Sequence, residues 1–196
     1  VGDNKQATFQ THTTRTNKKI SGINIFDFFA EAEKNGIAKI EKDLCSRRFN
    51  EDICQFANKI FPNENNMTTN MREITGHDGI FLIERKDAQS YYACFHPQEL
   101  RYSKATTDIC GNYAVNFGEC KGQTYERCLI YPPKPLLNFI NGKGLISPQK
   151  YYVALTRAKY SNTIIVEKMF TPVGFKPCEI DIGSGTINSM KYVREE

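Results

Sequence analysis

Several features of common protein classes are missing from this sequence. No apolar run approaches the roughly 20 residues that a transmembrane helix requires, which argues against a membrane-spanning protein. The chain has no initiator methionine, and residues 1–6 lack the charged-then-apolar pattern of a signal peptide. We therefore expect a cytoplasmic protein that was cut or processed from a longer chain.

Closely paired metal ligands are also missing. The chain has 7 cysteines, but no two of them form a C-x-x-C pair, and its 3 histidines do not lie beside such a pair. A structural zinc site needs closely spaced ligands, and a disulfide framework usually has an even number of cysteines. We expect reduced, mostly buried cysteines and no metal site.

A phosphate-binding loop of the G-x-x-x-x-G-K-[ST] type is missing as well. The nearest candidate, Gly142-Lys143-Gly144, has neither the spacing nor a Ser or Thr after the lysine. No apolar strand ends in an Asp-Glu pair that could hold Mg²⁺. On its own, the chain is not expected to hydrolyse a nucleotide.

The composition is that of an ordinary globular protein. The 196 residues are 40% hydrophobic and 24% charged, which is typical of a chain with one good core and both helices and strands. The formal net charge of +4 permits a phosphate-rich partner but does not require one.

Apolar periodicity predicts an alternation of helices and strands. Helices are predicted over about 23–34, 51–61 with Asn50 as N-cap, 87–95, and 148–159 with Ser147 as cap. Strands are predicted over 79–83, 113–117, 128–131 and 163–166. This order favours an open α/β sheet with ligand loops at strand ends, followed by an extended tail over 171–196.

The most informative segment is 151–159, where the apolar run Val153-Ala154-Leu155 is followed by Thr156-Arg157. An arginine at the end of so apolar a helix is poorly explained as part of a solvated face. Presented to a nucleotide, it could neutralise charge on the transferring phosphoryl group, an effect worth roughly 10³ to 10⁵ in rate in related chemistry. The residues of this segment favour a functional role for Arg157 without support from any other segment.

A short polar segment follows the strand-like Val1. Gln6 can hydrogen-bond both a phosphate oxygen and an attacking water, and Phe9 can stack on a base. A plain turn explains the same residues.

Two further segments carry basic residues where phosphates could bind. Arg47 and Arg48 precede a predicted helix, so they can join its N-terminal amides at a phosphate, although two solvated arginines are the alternative. The loop 116–125 places Lys121 between two apolar runs, which suits contact with a phosphate backbone or a nucleotide. A polar surface loop accounts for it equally well.

Taken together, these four segments resemble the later motifs of superfamily-one helicases of the UvrD/Rep type. The matching segments are 1–9 (motif III), 44–53 (motif IV), 118–125 (motif V) and 153–158 (motif VI), in the family's order. The chain departs from the family at Gly118, where His is usual, at Thr124, where many members hold the ribose with Glu, and at 46–48, where Ser-Arg-Arg replaces Asn-Tyr-Arg.

The resemblance implies a fold and a domain organisation. It covers about residues 1–168 and implies a RecA-like (P-loop NTPase-type) fold, with an open, mostly parallel sheet flanked by helices. Residues 1–21 would be the exit segment of a missing first RecA-like domain, and 22–170 the second one. The short stretch between Arg48 and Lys121 leaves no room for a large accessory insertion.

The resemblance also implies roles for individual residues. Catalytic roles fall on Arg157, Arg48 and Gln6, further nucleotide contacts on Gly2, Asp3, Gly122 and Thr124, and nucleic-acid contacts on Phe9, Asn116 and Lys121. ATP with Mg²⁺ would be bound mainly by the missing domain, and the partner would be single-stranded DNA or a DNA duplex junction. The alternatives are a non-catalytic RecA-like binding or regulatory module and a relative that acts on RNA.

Overall fold

The computed structural model describes residues 3–6, 25–111 and 113–194. Its helices are α1 (Ile25–Lys34), α2 (Glu51–Asn58), α3 (Ala88–Phe95), α4 (Lys134–Ile140) and α5 (Gln149–Leu155), with 3₁₀ turns at Asn4–Gln6 and Arg85–Asp87. Its strands are β1 (Cys45–Ser46), β2 (Thr68–Thr69), β3 (Gly79–Glu84), β4 (Gln98–Arg101), β5 (Ala114–Asn116), β6 (Tyr125–Tyr131), β7 (Ala158–Val166), β8 (Phe175–Asp181) and β9 (Thr186–Tyr192). Within these ranges, no helix combines the length and the apolar character needed to cross a bilayer.

The main sheet has the strand order β5-β4-β6-β7-β3-β9-β8 among the described residues. Strands β5, β4, β6, β7 and β3 are parallel, whereas β9 runs antiparallel to β3 and β8 antiparallel to β9. The short strands β1 and β2 form a separate parallel pair. The prediction of an open, mostly parallel α/β sheet with flanking helices is therefore confirmed.

Both faces of the sheet are covered. Strand β7 is buried at every position except Lys159, as expected for a central parallel strand with apolar layers on either side. On one face Leu82 and Ile164 share a core cluster with side chains of α2 and α5. On the other, Ile83 and Ile165 pack in a second cluster with Tyr91 of α3.

The start of α2 is tied directly to the start of β7. The side chain of Asn50 accepts a hydrogen bond from the amide of Ile53 at 3.1 Å, which confirms the predicted N-cap. Its Nδ2 donates to the carbonyl of Tyr160 at 2.6 Å, and its backbone amide donates to that of Lys159 at 3.2 Å. These bonds place the residues before α2 beside the turn that leads into β7.

The predicted helix over 148–159 was too long. Helix α5 ends at Leu155, because Thr156 turns its Oγ1 back to the carbonyl of Tyr152 at 2.7 Å, and β7 begins at Ala158. Ser147 has a φ of 53° and no side-chain cap bond at α5 is formed. Arg157 thus lies in a tight helix-to-strand turn instead of on a helix.

The expected extended tail was also wrong. Strands β8 and β9 form an antiparallel hairpin that extends the main sheet next to β3. Pro177 is accommodated because β8 is the edge strand, where a missing N–H costs least. Ile180 and Ile187 join one core cluster and Met190 the other, so the hairpin belongs to the packed body.

His77 and Tyr91 belong to this packed body. The His77 ring stacks between Phe81 and Phe95, with both centroid separations 4.3 Å, and its Nε2 lies 2.8 Å from the Tyr91 hydroxyl. Burial, followed by the charge of Arg127, lowers the pKa of His77 from 6.5 to about 4. The ring is therefore neutral in the folded protein near pH 7.

The folded protein should lose stability on acidification because of His77. In the unfolded chain this histidine takes up a proton below its ordinary pKa of 6.5, whereas the folded protein resists protonation until about pH 4. The contribution is fully present above pH 6.5 and falls by roughly 3 kcal/mol as the pH approaches 4. Urea unfolding of the wild type and of His77→Phe at several pH values measures it.

The His77→Phe variant should show a flatter pH dependence than the wild type over this range. His96→Asn is the matched control, because His96 is exposed and Asn tolerates its left-handed φ of 45°. Equal slopes for the wild type and His77→Phe would contradict the assignment.

Candidate functional site

A cleft of about 1300 Å³ brings together residues from five distant parts of the chain. Its walls are the Asn4–Gln6 turn, the segment 40–49 before α2, the loop after α2, the loop before β6, and α5 with its turn into β7. The predicted site residues that line it are Asp3, Gln6, Arg48, Lys121, Thr124 and Arg157.

The cleft lies at the amino ends of two central parallel strands. Thr124 immediately precedes β6 and Arg157 immediately precedes β7, and the two loops are joined by the Tyr125 amide donating to the Arg157 carbonyl at 2.9 Å. Ligands of open α/β sheets usually lie at the carboxyl ends of the strands. This cleft is therefore built on the opposite edge.

The Arg157 guanidinium is held almost entirely by neutral oxygens. Its Nε donates to the carbonyl of Val153 at 2.9 Å, one Nη donates to the Thr156 hydroxyl at 3.0 Å, and the other to the carbonyl of Gln123 at 3.4 Å. A longer contact of 3.5 Å reaches Oε1 of Gln6. The side chain is only 1% exposed, so its position is fixed by the fold.

This buried cation has no carboxylate among its hydrogen-bond partners in the described residues. Burial, followed by the positive charge of Arg48, lowers the pKa of Arg157 from 12.5 to about 10. A guanidinium that is desolvated and faces a like charge is costly unless a counter-charge approaches. The arrangement therefore favours an anion in the cleft.

Gln6 contacts both Lys121 and Arg157 and so connects these two basic residues. Its backbone carbonyl accepts a hydrogen bond from Nζ of Lys121 at 2.8 Å, while its Oε1 faces Arg157. Its Nε2 donates to Oδ2 of Asp3 at 2.6 Å, which fixes the orientation of the amide. The Asn4–Gln6 turn thus connects the Lys121 and Arg157 sides of the cleft.

Arg48 reaches the cleft from the turn between β1 and α2. Its amide donates to Oγ of Ser46 at 3.2 Å, and the adjacent Phe49 is buried as an anchor. Since Asn50 caps α2 and is bonded to the start of β7, the half-buried Arg48 is directed toward Arg157 by rigid elements.

Of the remaining predicted site residues, Asn116 and Gly122 do not line this cleft. Asn116, at the end of β5, accepts a hydrogen bond from Nε of Arg101 at 3.2 Å, and Gly122 occupies a turn with a φ of 86° before β6. Gly2 and Phe9 lie outside the described residues. In the part of the chain that is described, no three His, Cys, Asp or Glu side chains gather as a metal site.

Sequence reasoning missed Lys5, which is 6% exposed and lies between Asp3 and Gln6. Lys42, Arg47 and Lys159 also line the cleft without having been assigned a role. No periodic pattern marks Lys5, because the residues that bury it come from the loop after α2.

Comparisons with known proteins give distant and partial likenesses. No protein-family model and no curated protein matches the chain. A crystal structure of PRRSV nsp10 (helicase) matches with 17% identity and a TM-score of 0.40, covering 62% of this chain and 23% of that one. A methylated form matches with 15% identity and a TM-score of 0.41 over 63% and 23%.

A further structure of the PRRSV helicase matches with 16% identity and a TM-score of 0.44, covering 78% of this chain and 31% of that one. The chain therefore spans between about a quarter and a third of the length of the helicase chains that it matches.

The like charges in the cleft make a prediction about stability. Replacing Arg48 by Gln should leave the protein without anion as stable as the wild type or up to about 1 kcal/mol more stable, since it removes repulsion at Arg157. The same change should weaken the binding of inorganic triphosphate about tenfold, because a charged contact is lost. Chemical denaturation and calorimetric titration measure the two effects.

Lys143→Gln is the control, because it removes one positive charge from an exposed position outside the cleft. It should leave both quantities nearly unchanged. A clear loss of stability in Arg48→Gln would show that Arg48 is a structural residue.

Proposed function

We propose that this chain carries the second RecA-like motor domain of an ATP-driven nucleic-acid helicase. Arg157 is the residue that contacts the γ-phosphate of a nucleotide, and the other contacts of that nucleotide come from another domain. The observation that supports this most directly is the buried Arg157 guanidinium, held by neutral acceptors and turned toward a cleft that it shares with Arg48, Lys121 and Gln6.

The chemistry of the cleft fits a transferring phosphoryl group. A guanidinium presents several donors in one plane, so Arg157 and Arg48 can each neutralise phosphoryl oxygens as negative charge develops on them. Because Arg157 is fixed by Val153 and Thr156, little reorganisation is needed when the phosphate arrives. In the proposal, the Gln6 side chain donates to a phosphate oxygen through Nε2 and accepts from the attacking water through Oε1.

The position of the cleft agrees with a shared active site. It lies on the amino edge of the parallel strands, and the sequence contains no G-x-x-x-x-G-K-[ST] loop that would cradle the α- and β-phosphates. In the proposal another RecA-like domain supplies that loop and the Mg²⁺ ligands. This chain supplies Arg157, Arg48 and Gln6.

The nucleic-acid partner of the proposed motor is a single strand. Lys121, Asn116 and Phe9 are the residues assigned to it, with DNA as the favoured substrate and a UvrD/Rep-type motor as the favoured subclass. The test uses the longer protein of the proposal, which carries this domain together with the first RecA-like domain. Comparing its unwinding of DNA and RNA duplexes separates a DNA helicase from an RNA helicase.

The second candidate is a RecA-like binding or regulatory module without its own ATPase. The missing phosphate-binding loop in these 196 residues favours it, because the longer protein need not supply one. The two candidates differ in one measurable property, which is ATP hydrolysis by the longer protein in the presence of a single strand.

Replacing Arg157 by Lys tests the main proposal at two levels. In the 196-residue chain, the loss of the fork-shaped donor set should weaken the binding of inorganic triphosphate about tenfold. In the longer protein, kcat for ATP hydrolysis should fall roughly 10³-fold or more. Titration calorimetry and steady-state phosphate release measure the two effects.

The matched control is Arg85→Lys, because Arg85 pairs with Asp108 and Glu167 beyond the carboxyl ends of β3 and β7, away from the cleft. It should retain both properties. Normal turnover in Arg157→Lys would contradict the finger role. Clear strand-stimulated ATPase activity of the 196-residue chain alone would contradict the shared site.

A further inference from the structure

Lys5 is a buried cation in the wall of the cleft, and its Nζ contacts the loop after α2. Its Nζ donates to the carbonyl of Asn65 at 3.1 Å and lies 3.8 Å from a carboxylate oxygen of Glu64. It also lies 5.7 Å from the centre of the Phe61 ring. A lysine that is 6% exposed has lost most of its contact with water. These contacts compensate for that loss and hold the ammonium group in one place.

The loop that receives Lys5 is itself firmly held. Asn58 and Met67 exchange two hydrogen bonds of 2.9 Å across its base, between side-chain and backbone atoms. The Tyr152 hydroxyl lies 2.8 Å from Sδ of Met67, and the Tyr152 ring packs edge-on against Phe61 at 5.5 Å. Tyr152 belongs to α5, so Lys5 is anchored to the helix that ends beside Arg157.

The anchor fixes the position of the next residue. The Lys5 amide donates to Oδ1 of Asp3 at 2.9 Å, and the Gln6 side chain donates to Oδ2 of the same carboxylate. With the turn held at these points, the Gln6 carbonyl meets Lys121 and its Oε1 faces Arg157. The Nζ of Lys5 thus contacts the loop after α2, while the carbonyl and the side chain of Gln6 contact Lys121 and Arg157.

We infer that Lys5 is a positioning residue, which docks the Asn4–Gln6 turn on the loop after α2 so that Gln6 reaches Lys121 and Arg157. The inference rests on the proposed function, in which Gln6 contacts the γ-phosphate. Lys5 acts through Gln6, because its Nζ is held by the Asn65 carbonyl and the Glu64 carboxylate. It couples the loop after α2 to the phosphate side of the cleft.

A double-mutant cycle on the 196-residue chain tests this coupling. Binding of inorganic triphosphate is measured by calorimetry for the wild type, Lys5→Met, Gln6→Ala and the double variant. Gln6→Ala should weaken binding about tenfold, the scale of one hydrogen bond to a charged group. Lys5→Met should weaken it similarly, and the double variant no further, because both changes remove the same contact.

Additive effects, or no effect of Lys5→Met, would overturn the inference. Lys143→Met removes the same charge from an exposed position outside the cleft and controls for simple electrostatic attraction of the anion. Glu64→Gln is a second control with the opposite sign. Electrostatics alone predicts tighter anion binding when this carboxylate is removed, whereas loss of the anchor predicts weaker binding.

Amide hydrogen exchange at Gln6 gives a readout that does not depend on any ligand. The Gln6 amide donates to the Asp3 carbonyl at 3.2 Å in the docked turn, so it should be protected in the wild type and exchange at least tenfold faster in Lys5→Met. Equal exchange rates would overturn the inference. Faster exchange combined with no triphosphate binding by the wild type would support Lys5 as the anchor and reject the proposed function alone.

Discussion

The buried guanidinium of Arg157 is the interaction on which the architecture of the cleft depends. Its Nε can reach the Val153 carbonyl only because α5 ends two residues before it, and its own carbonyl accepts the Tyr125 amide where β6 begins. Asn162 of β7 closes the helix end by donating from Nδ2 to the Leu155 carbonyl at 2.8 Å. Arg157 thus links the end of α5 to the starts of β6 and β7, through its side chain on Val153 and its backbone carbonyl on Tyr125, and one Nη faces Gln6 in the cleft.

The electrostatics of the cleft oppose stability. Arg157 is desolvated and faces the charge of Arg48, and both effects depress its pKa. A fold selected only for stability would replace this pair with apolar groups, since buried charges without counter-charges rarely contribute net stability. The conflict is resolved when an anion enters, because the ligand supplies the missing negative charge. A site that is strained without its ligand gains binding energy from relief of that strain.

The sequence predicted those parts of the fold whose causes are local. The Asn50 cap and the apolar run of β3 depend on neighbouring residues, so their positions were predicted closely, whereas the strand predicted over 163–166 is only the second half of β7. Strand β4 was missed because its residues are mostly polar. The Glu99 carboxylate is buried because the amides of Cys110 and Gly111 and the hydroxyl of Tyr131 hydrogen-bond to it. The end of α5, the β8–β9 hairpin and the anchor of Lys5 likewise depend on partners far away in the chain. The cleft residues could be proposed as a set from the motif resemblance, whereas their contacts required the fold.

In the proposed motor, Gln6 contacts one residue assigned to the nucleotide and one assigned to the nucleic-acid strand. Its carbonyl holds Lys121, which is assigned to the strand, and its side chain faces Arg157, which is assigned to the γ-phosphate. A phosphate oxygen accepts hydrogen bonds, so a phosphate that binds Arg157 competes with Oε1 of Gln6 for the Nη donor. A strand that recruits Lys121 removes a hydrogen bond from the Gln6 carbonyl. Each ligand therefore changes the position of the residue that the other one meets. Since coupling between two binding events is reciprocal, a strand that alters the affinity for nucleotide must itself be bound differently when the nucleotide is present. Lys5 holds the Asn4–Gln6 turn in place while the carbonyl and the side chain of Gln6 change their hydrogen-bond partners.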